Sequence, residues 1–118
     1  MIQVLIRNSR DILIRPLEDI RMENAHDFYV ELLALEGISG KNVYLDFSRV
    51  QFVDSSGIGI LIKSSELLRN GLGSVSLVGL NRSLHSVFKL AGLCQIFRVI
   101  EVADLKEIFS EEELRPFF

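Results

Sequence analysis

At 118 residues, with 48% apolar and 25% charged side chains, the chain has the size and composition of one globular domain, 1–118, and a disordered or fibrous class is excluded. A chain this long buries roughly two-thirds of its unfolded surface, enough for stability without disulfide or metal staples. The formal charge of −3, with basic residues scattered, leaves no electrostatic footprint for nucleic acid.

Cys94 is the single cysteine, so an internal disulfide and a thiolate metal cluster are excluded. Set between Leu93 and Ile96, it is expected to be a buried, inert thiol. His26 and His85 lie far apart, so no metal site is expected from them, and no cofactor. Met1–Arg7 lacks the charged start and long apolar run of a signal peptide. No apolar stretch approaches the ~20 residues that cross a bilayer. A cytoplasmic protein without membrane insertion is the expectation.

Val4–Arg7 and Asp11–Arg15 read as two strands joined by the turn formers Asn8 and Ser9, with Pro16 stopping the second because it cannot donate to a ladder. From Met22 to Leu35 the apolar residues Ala25, Phe28, Tyr29, Leu32 and Leu33 recur at helical spacing, and Gly37 and Gly40 close the segment. Val43–Phe47 is a strand with Val43, Leu45 and Phe47 on one face. After the loop Ser48–Val53 a helix runs from about Ser56 to Asn70. Val75–Val78 is a strand, Asn81 or Ser83 caps a helix that stops at Gly92, and Phe97–Ile100 is a last strand. Asp104–Phe109 begins a terminal helix, and the acidic run Glu111–Glu113 is a solvated helix end. Strands alternating with helices predict an α/β fold, a mixed sheet of four to five strands with helices packed on it, with antiparallel character from the opening hairpin.

The most informative segment is Phe52-Val53-Asp54-Ser55-Ser56-Gly57-Ile58-Gly59. Capping by Asp54 or Ser55 explains an Asp-Ser pair before a helix. It does not explain Gly57 and Gly59, each costing up to ~1 kcal/mol relative to Ala in a helix. Two such residues imply a close backbone neighbour and a bare, accessible helix end. Ile58, Leu61, Ile62, Ser65 and Leu68 form the core stripe, which leaves Ile60 and Leu67 projecting from the other side around Lys63. Such a face suits a protein partner.

Catalysis fits poorly. A hydrolase elbow needs glycine two positions before the serine, where Ser56 has Asp54. Gly57-Ile58-Gly59 lacks the Gly-Lys-Ser/Thr ending of a phosphate loop. A hydroxyl at a helix N-terminus has a different use: a phosphoryl group there adds about −1.5 to −2 charges where the dipole favours an anion, while Asp54 opposes it. The reading is therefore a switch and not an enzyme.

Val43–Gly59 closely resembles the core motif of bacterial anti-sigma factor antagonists, members of the sulphate transporter and anti-sigma factor antagonist (STAS) domain family. Leu80–Leu93, with its Ala-Gly-Leu ending, resembles the family's third helix. The resemblance implies that the unphosphorylated chain binds an anti-sigma factor serine kinase and releases that kinase's target. Phosphorylation at Ser55, with Ser56 as the alternative acceptor, ends binding, and a metal-dependent serine phosphatase resets the switch. The partner-binding residues that the resemblance implies are Asp54, Gly57, Gly59 and Ile60, and the expected surface also takes in Ser56 at the turn and Lys63 and Leu67 from the helix face. A STAS scaffold, or an accessory subunit of a stress-signalling assembly or transporter, is the second reading. The loop Arg15–Arg21 departs from the family pattern, which often has a glycine and then an aspartate there.

Overall fold

Asn8 starts the fold locally. Its Oδ1 accepts the backbone N–H groups of Arg10 at 2.9 Å and Asp11 at 2.8 Å, closing a side-chain turn between β1 (Ile2–Arg7) and β2 (Asp11–Pro16). In the computed structural model, which describes residues 1–118, these two strands are antiparallel. They continue into β3 (Asn42–Asp46), β4 (Ser74–Val78) and β5 (Arg98–Ile100), all parallel to β2. The spatial order is β1-β2-β3-β4-β5. A five-stranded mixed sheet is thus the frame the alternating pattern predicts.

β2 ends at Pro16 as expected, although Pro16 is itself the last strand residue. It pairs with Ile2, and one more backbone bond, from Leu17 N to Met1 O at 2.8 Å, closes that edge. The partnership with β3 ends earlier, at Ile14 and Leu45, so no partner strand asks Pro16 for an N–H.

Helices α1 (Ala25–Leu33), α2 (Ser55–Asn70) and α3 (Arg82–Leu90) supply the residues that share one core with the sheet. Ile12, Ile14, Val43, Leu45 and Leu77 pack there with Phe28, Leu32, Leu61, Leu84 and Phe88. Alternate strand residues point to the opposite face. There Leu13, Tyr44 and Val78 meet Leu105 and Phe109 in a second cluster. β3 is therefore buried on both sides, as a central strand with parallel neighbours should be.

Three boundaries and one burial differ from expectation. α1 begins at Ala25 rather than Met22, because Asn24 Oδ1 accepts Arg21 N at 2.8 Å and holds the preceding residues in a turn. β5 omits Phe97, which is buried among the helix-side residues. The terminal segment splits into a 3-10 helix, Val102–Glu107, and a short α4, Glu111–Leu114. A capping box between Ser110 and Glu113 starts α4, and the break carries Leu105 and Phe109 onto the back of the sheet. Cys94 is half-buried, packed at the margin of the core instead of within it.

At the C-terminal ends of β2 and β3 a charged pair is enclosed. Arg15 Nε lies 2.7 Å from Asp46 Oδ2, with the residues 5% and 0% exposed. Ser48 N and Oγ complete the carboxylate at 3.0 Å each, and Arg15 Nη2 holds the Phe117 carbonyl at 3.0 Å.

Candidate functional site

The loop leaving β3 and the strap leaving β2 meet at the start of α2. Asp19 Oδ1 accepts the N–H groups of Gln51 at 2.7 Å and Phe52 at 3.2 Å. Ile20 N donates to Phe52 O at 3.2 Å, and Asp54 N donates to Ile20 O at 3.1 Å, giving an isolated parallel bridge between Ile20 and Val53. Both bridge residues are buried. By alternation Arg21 and Asp54 face outward.

Asp54 is the N-cap of α2. Its backbone is extended and its Oδ1 accepts Gly57 N at 3.0 Å, satisfying one donor that the helix leaves open. Oδ2 accepts Met22 N at 2.9 Å. The carboxyl is held below its ordinary value, chiefly by the Gly57 N–H and further by those of Met22 and Ser56 and by the Arg21 charge, against a partial desolvation that pulls the other way. Asp54 therefore works as a brace between helix and strap as an ionised group.

The two glycines have different roles. A Cβ on Gly57 would lie 2.6 Å from Val53 Cγ1 and 2.8 Å from Ile20 O, so Gly57 is buried and lets the strap pass. The expectation that both glycines leave an accessible end is corrected there: Gly57 offers a partner no surface. Gly59 is exposed, and a Cβ there would meet nothing within 4 Å.

Ser55 is the first residue of α2 and is exposed, whereas Ser56 is half-buried. Further along, Leu67 is 46% exposed. Lys63 is exposed too, with Nζ 4.7 Å above the Tyr29 ring, a cation–π arrangement. Ile60 does not project as expected. It is half-buried against the core, because α1 lies beside α2 and Ser64, one turn further on the same stripe, is 1% exposed. The helix has a second neighbour that a single-stripe reading omits.

The strap residues Asp19, Ile20 and Met22 and the aromatic Phe52 are the parts sequence reasoning left out. Phe52 is 45% exposed, and Arg21 Cζ lies 4.4 Å from its ring centroid. The run Glu18-Asp19-Ile20-Arg21 has charge but no periodicity, and its partners are some thirty residues away, as for Asp19 and Gln51 at a separation of 32. No helix is long and apolar enough to cross a membrane.

A STAS domain family model matches residues 3–112. Among curated proteins, BtrV of Bordetella bronchiseptica, a candidate anti-sigma factor antagonist, is 28% identical over 80 residues, covering 68% of this chain and 69% of BtrV. Among solved structures, a candidate anti-sigma factor antagonist of Thermotoga maritima superposes with a TM-score of 0.78 at 22% identity, covering 89% of this chain and 91% of its own. The Bacillus anti-sigma factor antagonist SpoIIAA, in its unphosphorylated form, gives 0.71 at 17% identity over 100% of this chain and 99% of its own. At these identities the structures share the fold, and the family match covers nearly the whole length. The chain belongs to the STAS domain family.

Proposed function

We propose that this chain is a phosphorylation-controlled protein-binding switch of the anti-sigma factor antagonist kind, working in the cytoplasm. Unphosphorylated, it binds an anti-sigma factor that is also a serine kinase and so frees the kinase's target. The kinase then transfers the γ-phosphoryl group of ATP to Ser55: the Oγ–phosphorus bond forms, the bond to ADP breaks, and the hydroxyl proton leaves with the kinase's base. A metal-dependent serine phosphatase removes the group.

The observation that carries this reading is the exposure of Ser55 on the first residue of α2, next to an Asp54 whose oxygens are both engaged. Ser55 is free of the brace, so a modification there changes surface charge without dismantling the helix start. Ser56, being half-buried, is the poorer acceptor. The docking face we assign comprises Ser55, Gly59, Lys63 and Leu67, with Asp54 and Ser56 at its margin. Gly57 and Ile60 support it from below. Likeness to SpoIIAA, solved in unphosphorylated and phosphorylated forms, supports a fold compatible with both states.

The test is binding to the cognate serine kinase. Wild-type chain should form a complex in ADP, and a Ser55→Asp chain should bind at least tenfold more weakly, about 1.4 kcal/mol. A Ser55→Asp chain that binds as tightly as wild type would overturn the charge-switch mechanism.

A further inference from the structure

We propose that Arg21 is a built-in counter-charge for a phosphoryl group on Ser55, so that the modified chain fastens its own strap to the start of α2. This rests on the reading of Ser55 as the acceptor and adds how the phosphorylated state is held.

The geometry begins with the bridge between Ile20 and Val53. Arg21 and Met22 follow directly on the bridged Ile20, and Asp54 and Ser55 directly on the bridged Val53, so the two segments leave the bridge side by side. The 2.9 Å bond from Met22 N to Asp54 Oδ2 shows that the strap stays close at this point. Ile20 and Val53 turn inward, while Arg21, one residue beyond Ile20, and Ser55, two beyond Val53, are both exposed.

The Arg21 guanidinium is poised without being committed. It rests on the Phe52 ring, and its Nη2 lies 3.4 Å from Asp19 Oδ2 with the side chain 49% exposed. An exposed pair this long is worth little and yields readily to a dianion, which a guanidinium can grip through two parallel hydrogen bonds. Its charge is already felt at the Asp54 carboxyl. Of the other cations, Lys63 lies about two turns further along α2 and extends over the Tyr29 ring of α1, and Arg15 is buried with Asp46. Moving Arg21 onto the phosphoryl group uncovers the Phe52 ring, so phosphorylation changes the surface beside the docking face as well as the charge on it.

The test installs phosphoserine at position 55 by codon suppression, which needs no kinase, and follows its second ionisation by phosphorus NMR. That ionisation falls ordinarily near pH 6. In the Arg21→Gln chain it should move up by roughly 0.5 to 1 relative to wild-type sequence, because an opposite charge favours the dianion. Asp54, which caps the same helix start, and Asp19, the resting partner of Arg21, are present in both proteins. Arg21→Lys should fall between. Arg49→Gln, which removes an exposed cation from the loop after β3, should leave the titration where it is. Equal titration in wild-type and Arg21→Gln chains, or an equal shift from Arg49→Gln, would overturn the proposal. Absence of phosphate on Ser55 in cells would instead overturn the acceptor reading, since this comparison is independent of any kinase.

Discussion

Met22 N donates to Asp54 Oδ2 at 2.9 Å across a sequence separation of 32, and the same carboxylate caps α2 through Gly57 N at 3.0 Å. One side chain thus ties the strap after β2 to the helix that carries Ser55. Asp54→Ala should lower the thermal midpoint by a few degrees, since a cap and a long-range bond are lost together.

The same residue sets a pH dependence. The folded carboxyl titrates below the ordinary 3.8, so its contribution is complete above about pH 4 and is lost as pH falls through the folded value. The stability difference between wild type and Asp54→Ala, measured by urea unfolding, should be constant from pH 7 to about 5 and shrink below about 4. A difference that grows on acidification would contradict the brace.

Gly57 and Gly59 should respond oppositely to alanine. At Gly57 the new methyl meets Val53 and the Ile20 carbonyl well inside contact distance; overpacking of about 1–3 kcal/mol outweighs the helix-propensity gain of up to ~1 kcal/mol. At Gly59 nothing lies within 4 Å, so only the propensity gain remains. Urea midpoints should fall for Gly57→Ala and rise for Gly59→Ala.

The Arg15–Asp46 pair predicts a larger effect. Arg15→Met strands a buried carboxylate, at a cost of about 3–5 kcal/mol, and releases the Phe117 carbonyl from Arg15 Nη2. Unfolding midpoints should drop accordingly, and limited proteolysis should reach the segment after Ser110 sooner than in wild type. The double variant Arg15→Met/Asp46→Leu should recover most of the stability, because neither charge is then buried alone.

The start of α2 was legible in the sequence because capping is local: Asp54 needs only the N–H three residues on, and the Asp-Ser-Ser-Gly spacing displays it. Alternation of strands with helices likewise displayed the sheet. The strap was not legible. Ile20 reaches Val53 through backbone groups that every residue carries, and the Asp19 carboxylate accepts backbone N–H groups 32 and 33 residues away, so no local spacing marks either contact. Ile60 was misplaced for a related reason, since one apolar stripe on a helix identifies one neighbour while α2 touches both the sheet and α1. The close backbone neighbour that the two glycines imply is legible and is found at Gly57, where it is the Ile20 carbonyl; which of the two glycines it serves, and that Gly57 is thereby buried, is not.

The acceptor assignment is tested most directly by phosphopeptide mapping of the chain after incubation with its cognate kinase and ATP, alongside Ser55→Ala and Ser56→Ala chains. One phosphoryl group on Ser55 in the wild type, retained in Ser56→Ala and absent from Ser55→Ala, is the predicted result. A Ser55→Ala chain that still gains one phosphoryl group at the wild-type rate would contradict it.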